Sequence, residues 1–554
     1  MKKPAGASAW NDDAPTLEVE DLSIAYTVRG TETVAVRDVS FALGRGDTLA
    51  VVGESGSGKT TTAQAVIGLL ASNGRVVSGS ITLGGVDVTT WTDADWRRVR
   101  GRHVALIPQD PHNSLNPVKR IGDSLAEVMR VHRWADSAQI KRRVLELLER
   151  VDIPDPEARA KQYPHQLSGG MKQRVLIASA IALKPELIIA DEATSALDVT
   201  VQKTILDLID ELRREDGTSV MLVTHDLAVA ADRTTDVVVM KDGRVQEKGR
   251  TRVVLERPTA EYTRKLVANA PALAVATRTP DEVRAQLVDA RHEQAVISLT
   301  DVVKEFDVGR RREPFRAVDS VSFSVRRGMT HALVGESGSG KSTIARMVMG
   351  FEKASSGSVQ VDGADMATLS GAALRQARRR LQMVYQNPYS SLDPRQSIES
   401  ILEEPLRNYG IGSRRERSTR AREALDRVAL PATTSTRRPR ELSGGQRQRV
   451  AIARALVLDP TIIVLDEAVS ALDVTVQAGI LDLLAQIQKE SGTTYLFISH
   501  DLAVVRQVAE TVTVLRRGVC VEQGITEDVF AHPEHPYTVA LLEAIPGRAV
   551  AAAG

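Results

Sequence analysis

The chain has 554 residues, which is enough for two or more domains of ordinary size. It carries 72 Lys and Arg against 71 Asp and Glu, so its overall charge gives no sign of nucleic-acid binding. The one cysteine, Cys520, excludes an internal disulfide and a cysteine-ligated zinc or iron–sulfur site. We expect Cys520 to be a buried structural residue. The N-terminal segment is polar, so we predict no signal peptide. Long apolar windows are lacking, so we predict no membrane span. We therefore expect a cytosolic chain unless a partner holds it at a membrane.

The chain contains the same set of motifs twice. Gly53–Thr60 recurs as Gly335–Ser342, and five further motifs follow each copy in the same order. The paired motifs begin at Gln109 and Gln386, Leu167 and Leu442, Asp191 and Asp466, Ser195 and Ser470, and His225 and His500. Spacing this regular predicts two tandem domains of one fold, each of about 250 residues.

Composition along the chain predicts the limits of these domains. We expect residues 1–15 to be a disordered tail and residues 16–269 to form the first domain. Residues 270–295, rich in Ala, Pro and charge, are predicted to be a linker. The second domain, with a C-terminal extension, is predicted to cover 296–547.

Short apolar runs alternate with helical patterns in each half. In the first half the predicted buried strands are Thr48–Val52, Leu187–Ala190 and Val220–Val223. Val464–Leu465 and Tyr495–Ile498 repeat this arrangement in the second half. The alternation predicts an α/β fold with a mostly parallel sheet, whose functional residues lie at the carboxyl ends of the strands.

The first motif of each half predicts a phosphate-binding loop between a strand and a helix. Its glycines let backbone N–H groups surround a phosphate, and the helix N-terminus adds partial positive charge. Lys59 is expected to reach the β- and γ-phosphates, and the Thr60 hydroxyl to bind Mg2+. The predicted nucleotide-contacting residues of the two loops are Gly53, Ser55, Gly56, Gly58, Lys59, Thr60 and Thr61, and Gly335, Ser337, Gly338, Gly340, Lys341, Ser342 and Thr343.

An acidic pair and a histidine end later strands in each half. Asp191 and Glu192 stand where one carboxylate can hold Mg2+ and its neighbour can act on water. A single histidine at a strand end would more often be structural. His225 and His500, however, both follow the acidic pair at the same distance, and this symmetry favours catalysis.

These motifs resemble the ATP-binding cassette (ABC) transporter ATPases, with Leu-Ser-Gly-Gly as the most specific element. The resemblance implies two tandem P-loop NTPase (RecA-like) nucleotide-binding domains, each with an antiparallel β subdomain and a helical subdomain. It also implies a head-to-tail pseudo-dimer, in which each ATP lies between one half's phosphate loop and the other half's signature. The implied signature contacts are Ser168, Gly169 and Gly170, and Ser443, Gly444 and Gly445.

The resemblance also assigns roles by position. It implies Glu192 and Glu467 as general bases, His225 and His500 as γ-phosphate contacts, and Gln109 and Gln386 as sensors of metal and water. The implied Mg2+ ligands are Thr60, Gln109 and Asp191, and Ser342, Gln386 and Asp466. Tyr26 and Phe306 are expected to stack on adenine, although core packing explains them about as well. Because no catalytic group is missing, we predict two hydrolysis-competent sites.

The segments that begin at each motif glutamine, and a segment near the C-terminus, indicate a branch of the family. Gln109–Pro117, Gln386–Pro394 and His532–Thr538 resemble the dipeptide, oligopeptide and nickel importer ATPases. This resemblance implies two transmembrane permease subunits, an extracytoplasmic solute-binding protein and a peripheral position on the cytoplasmic face of the membrane. It implies no nucleic-acid partner.

Several alternatives remain open from the sequence. The solute could be nickel or glutathione rather than a di- or oligopeptide. A soluble tandem cassette that acts on ribosomes and a drug exporter are less favoured, because the linker is short and no membrane helices are predicted. His532 and His535 leave a metal site in the tail as a minor alternative.

Overall fold

A computed structural model describes residues 11, 13–28, 30–194, 197–270, 280–289, 295–307, 314–470 and 472–547. The chain forms two compact units, one built mainly from residues before 274 and the other mainly from residues 274–545. Most of the predicted 1–15 tail and much of the predicted 270–295 linker lie outside the described residues, as do Ser195, Ala196 and Ala471. The domain limits given above therefore stay predictions.

The first unit contains two sheets and the helices that pack on them. Its elements are β1 (Leu17–Val28), β2 (Thr31–Leu43), β3 (Thr48–Val52), α1 (Lys59–Val66), β4 (Gly74–Leu83), β5 (Val86–Asp87), α2 (Asp93–Val99), β6 (Val104–Ile107), α3 (Pro111–Ser114), α4 (Ile121–Val131), α5 (Ser137–Arg150), α6 (Pro156–Ala160), α7 (Gly169–Ala180), β7 (Leu187–Asp191), α8 (Val199–Asp216), β8 (Ser219–Thr224), α9 (Leu227–Arg233), β9 (Asp236–Lys241), β10 (Arg244–Arg250), α10 (Thr251–Glu256) and α11 (Glu261–Ala268).

The second unit repeats this order after a separate helix, except that a short 3-10 helix, Ala432–Thr436, stands in the place of α6. Its elements are α12 (Pro280–Asp289), β11 (Ile297–Phe306), β12 (Phe315–Val325), β13 (Thr330–Val334), α13 (Lys341–Val348), β14 (Ser356–Val361), β15 (Ala364–Asp365), α14 (Gly371–Arg380), β16 (Leu381–Val384), α15 (Pro388–Ser391), α16 (Ile398–Asn408), α17 (Arg414–Arg427), α18 (Gly444–Leu456), β17 (Ile462–Asp466), α19 (Val474–Ser491), β18 (Thr494–Ile498), α20 (Leu502–Val508), β19 (Thr511–Arg516), β20 (Val519–Ile525), α21 (Thr526–Ala531) and α22 (Pro536–Glu543).

Each unit has one six-stranded and one four-stranded sheet. The larger sheet of the first unit runs β10-β9-β3-β8-β7-β6 and is parallel except for the hairpin of β9 and β10. The smaller sheet, β2-β1-β4-β5, is antiparallel throughout. The second unit has the matching orders β16-β17-β18-β13-β19-β20 and β12-β11-β14-β15. The predicted α/β fold with a mostly parallel sheet and an antiparallel β subdomain is confirmed in both halves.

Burial explains why the central strands read as continuous apolar runs. All five residues of β3, and all five of β13, are buried. In the first unit one cluster fills the space between the two sheets, and a second joins the other face of the parallel sheet to α4, α5 and α7. Strands covered on both faces have no polar side to expose, so they lose the alternating pattern of a half-buried strand. Among the described residues, no helix is long and apolar enough to cross a membrane.

Two single residues differ from, or add to, what the sequence predicts. Cys520 lies in β20 at the edge of its sheet and is half-buried rather than fully buried, which corrects the prediction of a buried cysteine. His331, in β13, is 3% exposed and stacks on Phe323 with ring centroids 4.8 Å apart. Its Nδ1 lies 2.8 Å from Thr511 Oγ1, and its Nε2 lies 3.0 Å from Thr513 Oγ1.

Burial makes His331 a source of acid sensitivity. Removal from water lowers the pKa of His331 to about 3, far below its value in an unfolded chain. Below about pH 6.5 the unfolded chain therefore takes up a proton that the native chain does not. The contribution of His331 to the free energy of unfolding therefore falls by about 1.4 kcal/mol for each pH unit below about pH 6.5.

We predict that His331→Leu reduces this acid sensitivity. Leucine is the residue at the matching position of the first half, Leu49. Urea unfolding at pH 7.5 and 5.5 should show the wild type losing about 1.4 kcal/mol more than the variant over that interval. Equal losses in the two proteins would contradict the buried neutral imidazole.

Candidate functional site

The phosphate loop of the first half is held by a very close backbone approach. Gly53 follows β3 with φ +149°, and a Cβ on it would lie 2.1 Å from the carbonyl oxygen of Met240 in β9. Only glycine fits such a contact. Gly335 repeats it against the carbonyl oxygen of Leu515, also at 2.1 Å. Ser55, Gly56, Ser337 and Gly338 are exposed at the tips of the two loops.

The lysine that follows each loop is buried and held by the loop itself. Lys59 is 5% exposed, and its Nζ donates to the carbonyl oxygens of Gly53 and Glu54, both at 2.8 Å. Lys341 Nζ donates in the same way to Gly335 at 2.6 Å and to Glu336 at 2.8 Å. Burial lowers the pKa of Lys341. Each ammonium group is thus fixed at the N-terminus of α1 or α13, where helix N–H groups favour anions.

The hydroxyl at the start of α1 meets the first carboxylate of the acidic pair. Thr60 Oγ1 donates to Asp191 Oδ1 at 3.1 Å. Burial raises the pKa of Asp191 against the opposing effect of that hydrogen bond. In the second half burial, with Glu467 next to it, raises the pKa of Asp466 to about 6. A hydroxyl and a carboxylate are hard oxygen ligands of the kind that Mg2+ accepts, with phosphate oxygens completing its shell.

The glutamate of the acidic pair is held by two of the other predicted site residues. Gln109 Nε2 donates to Glu192 Oε2 at 2.6 Å, and His225 Nδ1 lies 3.3 Å from Glu192 Oε1. Burial by itself would raise the pKa of Glu192, but the hydrogen bond and charge of His225 outweigh it and lower the pKa. The carboxylate in turn raises the pKa of His225 despite its burial.

The second half reproduces this geometry. Gln386 Nε2 donates to Glu467 Oε2 at 2.6 Å, and His500 Nδ1 lies 3.3 Å from Glu467 Oε1. The pKa of Glu467 is again lowered and that of His500 raised, for the same reasons. The glutamine, glutamate and histidine that lie far apart in the sequence therefore form one cluster in each half.

The backbone of both glutamates has a feature that sequence reasoning missed. Glu192 has φ +46° and Glu467 has φ +47°, a left-handed conformation that non-glycine residues adopt rarely. The backbone N–H of Glu192 donates to the Val223 carbonyl oxygen at 2.8 Å, and that of Glu467 to Ile498 at 3.0 Å. These bonds to the neighbouring strand hold the strained residue, as is common at active sites. No residue type in the sequence signals it.

The signature motifs open helices, as predicted. Ser168 is the N-cap of α7, where its Oγ accepts from the Met171 N–H at 3.3 Å. Ser443 caps α18 in the same way, and its own N–H makes a second bond by donating to Gln446 Oε1 at 3.1 Å. Methionine at position 171 cannot make that second bond, so only the second signature has a complete capping box.

The second glycine of each signature, Gly170 or Gly445, allows close helix packing, whereas the two predicted adenine contacts have different surroundings. A Cβ on Gly445 would lie 2.3 Å from a methyl of Val476 in α19. Tyr26 is half-buried against the core of its unit, while Phe306 is 37% exposed with Lys304 Nζ 4.9 Å from its ring centroid. Adenine stacking stays a prediction for both.

Comparison with known proteins identifies the chain. The family model described as ABC transporter matches residues 36–195 and 318–470. The chain belongs to the ABC transporter family. A second model, for the C-terminal region of oligopeptide and dipeptide transporters, matches residues 521–552. The resemblance drawn from the sequence motifs is confirmed, and with it a chain that binds ATP and is an ATPase.

Three similar curated proteins are each named glutathione import ATP-binding protein GsiA. The protein from Salmonella typhimurium (strain LT2) is 41% identical, over 97% of this chain and 90% of its own length. The Pectobacterium atrosepticum protein is also 41% identical, over 96% of this chain and 89% of its length. That of Escherichia coli O157:H7 is 40% identical, over 97% and 90%.

We predict that replacing both glutamates with glutamine abolishes hydrolysis while ATP still binds. The combined Glu192→Gln and Glu467→Gln chain should lose at least about 100-fold in kcat, because a general base contributes a factor of that order. Steady-state phosphate release and equilibrium ATP binding on the same preparation measure the two effects. Hydrolysis within tenfold of wild type would contradict the role of the glutamates.

Proposed function

We propose that this chain is the ATP-hydrolysing subunit of an ABC importer of the peptide class. The observation that carries the proposal is the presence of two complete glutamine, glutamate and histidine clusters beside two phosphate loops in one chain. The C-terminal region of the oligopeptide and dipeptide type at residues 521–552 supports the branch. ATP binding would draw the two nucleotide-binding domains together, and hydrolysis would release them.

We assign the chemistry to the same residues in each half. Lys59 and Lys341, with the N–H groups of their loops, bind the β- and γ-phosphates. Thr60 with Asp191, and Ser342 with Asp466, would hold Mg2+, which neutralises charge on the phosphate oxygens. Glu192 and Glu467, whose lowered pKa values keep them ionised at neutral pH, accept a proton from the attacking water.

Gln109 and Gln386 position these bases, and His225 and His500 link them to the γ-phosphate. A glutamine that donates to one carboxylate oxygen and a histidine close to the other leave little freedom of rotation. The raised pKa of each histidine favours its cationic form, which complements phosphate charge. We therefore propose that both sites hydrolyse ATP.

We propose that the partners are two transmembrane permease subunits and an extracytoplasmic solute-binding protein, with this chain on the cytoplasmic face. Exposed apolar side chains follow both catalytic glutamines and would suit a permease contact. Val118 is 79% exposed, and Tyr389 is 64% exposed. An exposed apolar side chain in the segment after each glutamine supports the proposal that these segments meet the permease.

The solute is proposed to be a small peptide. The relatives named for glutathione import make glutathione the second candidate. Glutathione is itself a tripeptide, so it belongs to the same chemical class as the first candidate, a small peptide. Nickel, which the sequence left open, has no support beyond the resemblance of the branch.

We predict that cells lacking this chain fail to take up labelled dipeptides, tripeptides or glutathione, and that the wild-type chain restores uptake. The chain with Glu192→Gln and Glu467→Gln should not restore it, because its ATP would not be hydrolysed. Uptake of a sugar by an unrelated carrier serves as the control.

Rescue by the glutamine variant would contradict ATP-driven import by this chain. If cells lacking this chain take up peptides and glutathione normally but fail to take up nickel, the solute would be nickel. A chain that sediments with ribosomes rather than with membranes would overturn the transport proposal.

A further inference from the structure

A tyrosine from the C-terminal part of each unit reaches the phosphate loop. The backbone N–H of Glu54 donates to the hydroxyl oxygen of Tyr262 at 3.2 Å. In the second unit the N–H of Glu336 donates to the hydroxyl oxygen of Tyr537 at 3.0 Å. Glu54 and Glu336 are the second residues of their loops, directly after the glycine that contacts the neighbouring strand. The contact is therefore made at the same point of both loops.

The other side of the same residue holds the phosphate-binding lysine. The carbonyl oxygen of Glu54 accepts from Lys59 Nζ at 2.8 Å, and that of Glu336 accepts from Lys341 Nζ at 2.8 Å. A short chain of hydrogen bonds thus leads from the tyrosine hydroxyl through one loop residue to the ammonium group. If the tyrosine hydroxyl is removed, the loop residue that orients the lysine loses the hydrogen bond made by its backbone N–H.

Each tyrosine ring is fixed by the strand that faces the loop glycine. Lys241 Nζ lies 4.8 Å from the Tyr262 ring centroid, and Arg516 Cζ lies 4.9 Å from that of Tyr537. These cations directly follow Met240 and Leu515, whose carbonyls contact Gly53 and Gly335. Tyr262 is 9% exposed and Tyr537 is 7% exposed. Burial raises the pKa of Tyr537 to about 12, so its hydroxyl stays neutral at physiological pH.

A carboxylate in the last strand anchors the segment that carries each tyrosine. Glu247 in β10 accepts from the N–H groups of Thr259 at 2.9 Å and Ala260 at 3.1 Å, just before α11. Glu522 in β20 accepts from the N–H groups of Glu534 at 2.9 Å and His535 at 3.2 Å, just before α22. The anchored segments differ in sequence, Thr259-Ala260 against Glu534-His535, yet both deliver a tyrosine to the loop.

His535 has a local role in this arrangement. Its Nδ1 accepts from the Tyr537 N–H at 3.1 Å and so caps α22. This contact accounts for a histidine that the sequence left open as a metal ligand.

We propose that Tyr262 and Tyr537 are positioning residues for ATP binding, whose hydroxyls fix the phosphate loops so that Lys59 and Lys341 meet the phosphates. The inference rests on the proposed role of the phosphate loops. Packing alone would need only the aromatic rings, whereas this role needs the hydroxyls. Tyrosine to phenylalanine changes therefore separate the two explanations.

The test compares the full-length chain carrying Tyr262→Phe and Tyr537→Phe with a matched control, Tyr495→Phe. Tyr495 is a buried tyrosine of the second unit whose hydroxyl donates to the backbone carbonyl of Leu484 at 3.0 Å, in the strand β18 rather than at a loop. ATP affinity by equilibrium dialysis, the KM and kcat for ATP, and the melting temperature are measured for each. Changing both tyrosines together keeps the two sites alike.

We predict a dissociation constant and KM for ATP about three- to tenfold higher in the double variant, from the usual worth of one hydrogen bond. Its kcat at saturating ATP should stay within about twofold of wild type, since no group that touches the reacting atoms is removed. Tyr495→Phe should lower the melting temperature about as much as the double variant does. It should leave the affinity for ATP unchanged. The inference would be overturned if the double variant bound ATP as tightly as the wild type. It would also be overturned if Tyr495→Phe lost as much ATP affinity as the double variant.

A second pair of changes separates this inference from the proposed function. Lys59→Ala with Lys341→Ala should abolish ATP binding if the loops bind phosphate. Retained binding in that chain would overturn both the loop assignment and the role of the tyrosines. Loss of binding in the lysine variant with normal affinity in the phenylalanine variant would overturn the tyrosine role alone.

Discussion

The crossing of the phosphate loop over a neighbouring strand is the constraint on which each ATP site depends. Gly53 can lie against the Met240 carbonyl only because it has no side chain and adopts φ +149°. That crossing places the loop against β9, and α1 begins directly after the loop. Since β3 and β9 are parallel neighbours, the hydrogen bonds of the sheet fix the crossing in space. A bulkier residue there would displace the lysine and the helix N-terminus together.

The second organising feature is that the pKa values of two adjacent carboxylates are shifted in opposite directions. Burial raises the pKa of Asp191 and brings that of Asp466 to about 6, so these groups favour a cation beside them. The histidines lower the pKa values of Glu192 and Glu467 and keep them ionised. Adjacent groups whose environments separate their pKa values can divide the work of a site, and the roles proposed above divide it between metal binding and proton acceptance. Each glutamate has a left-handed backbone, and its carboxylate contacts the glutamine and the histidine of its half.

The fold and most of the site were predictable because their signals are local in sequence or repeated. The strand, loop and helix pattern around Gly53, and its second copy at Gly335, identify the two domains from the order of residues alone. The phosphate loops, the acidic pairs and the signature serines could all be found in this way. The backbone of Glu192, the neutral His331 and the contact of Tyr262 with Glu54 could not. These features depend on which strands become neighbours in the fold. Tyr262 lies 208 positions from Glu54, and nothing in the sequence around either residue signals their contact.

We infer that one chain holds two working nucleotide sites built from the same parts. The most direct measurement is the number of ATP molecules bound per chain at saturation, in the presence of Mg2+, by the purified chain with Glu192→Gln and Glu467→Gln. Blocking hydrolysis lets bound ATP be counted. We expect two ATP per chain, falling to one when Lys59→Ala or Lys341→Ala is added. One ATP per chain without a lysine change would contradict this inference.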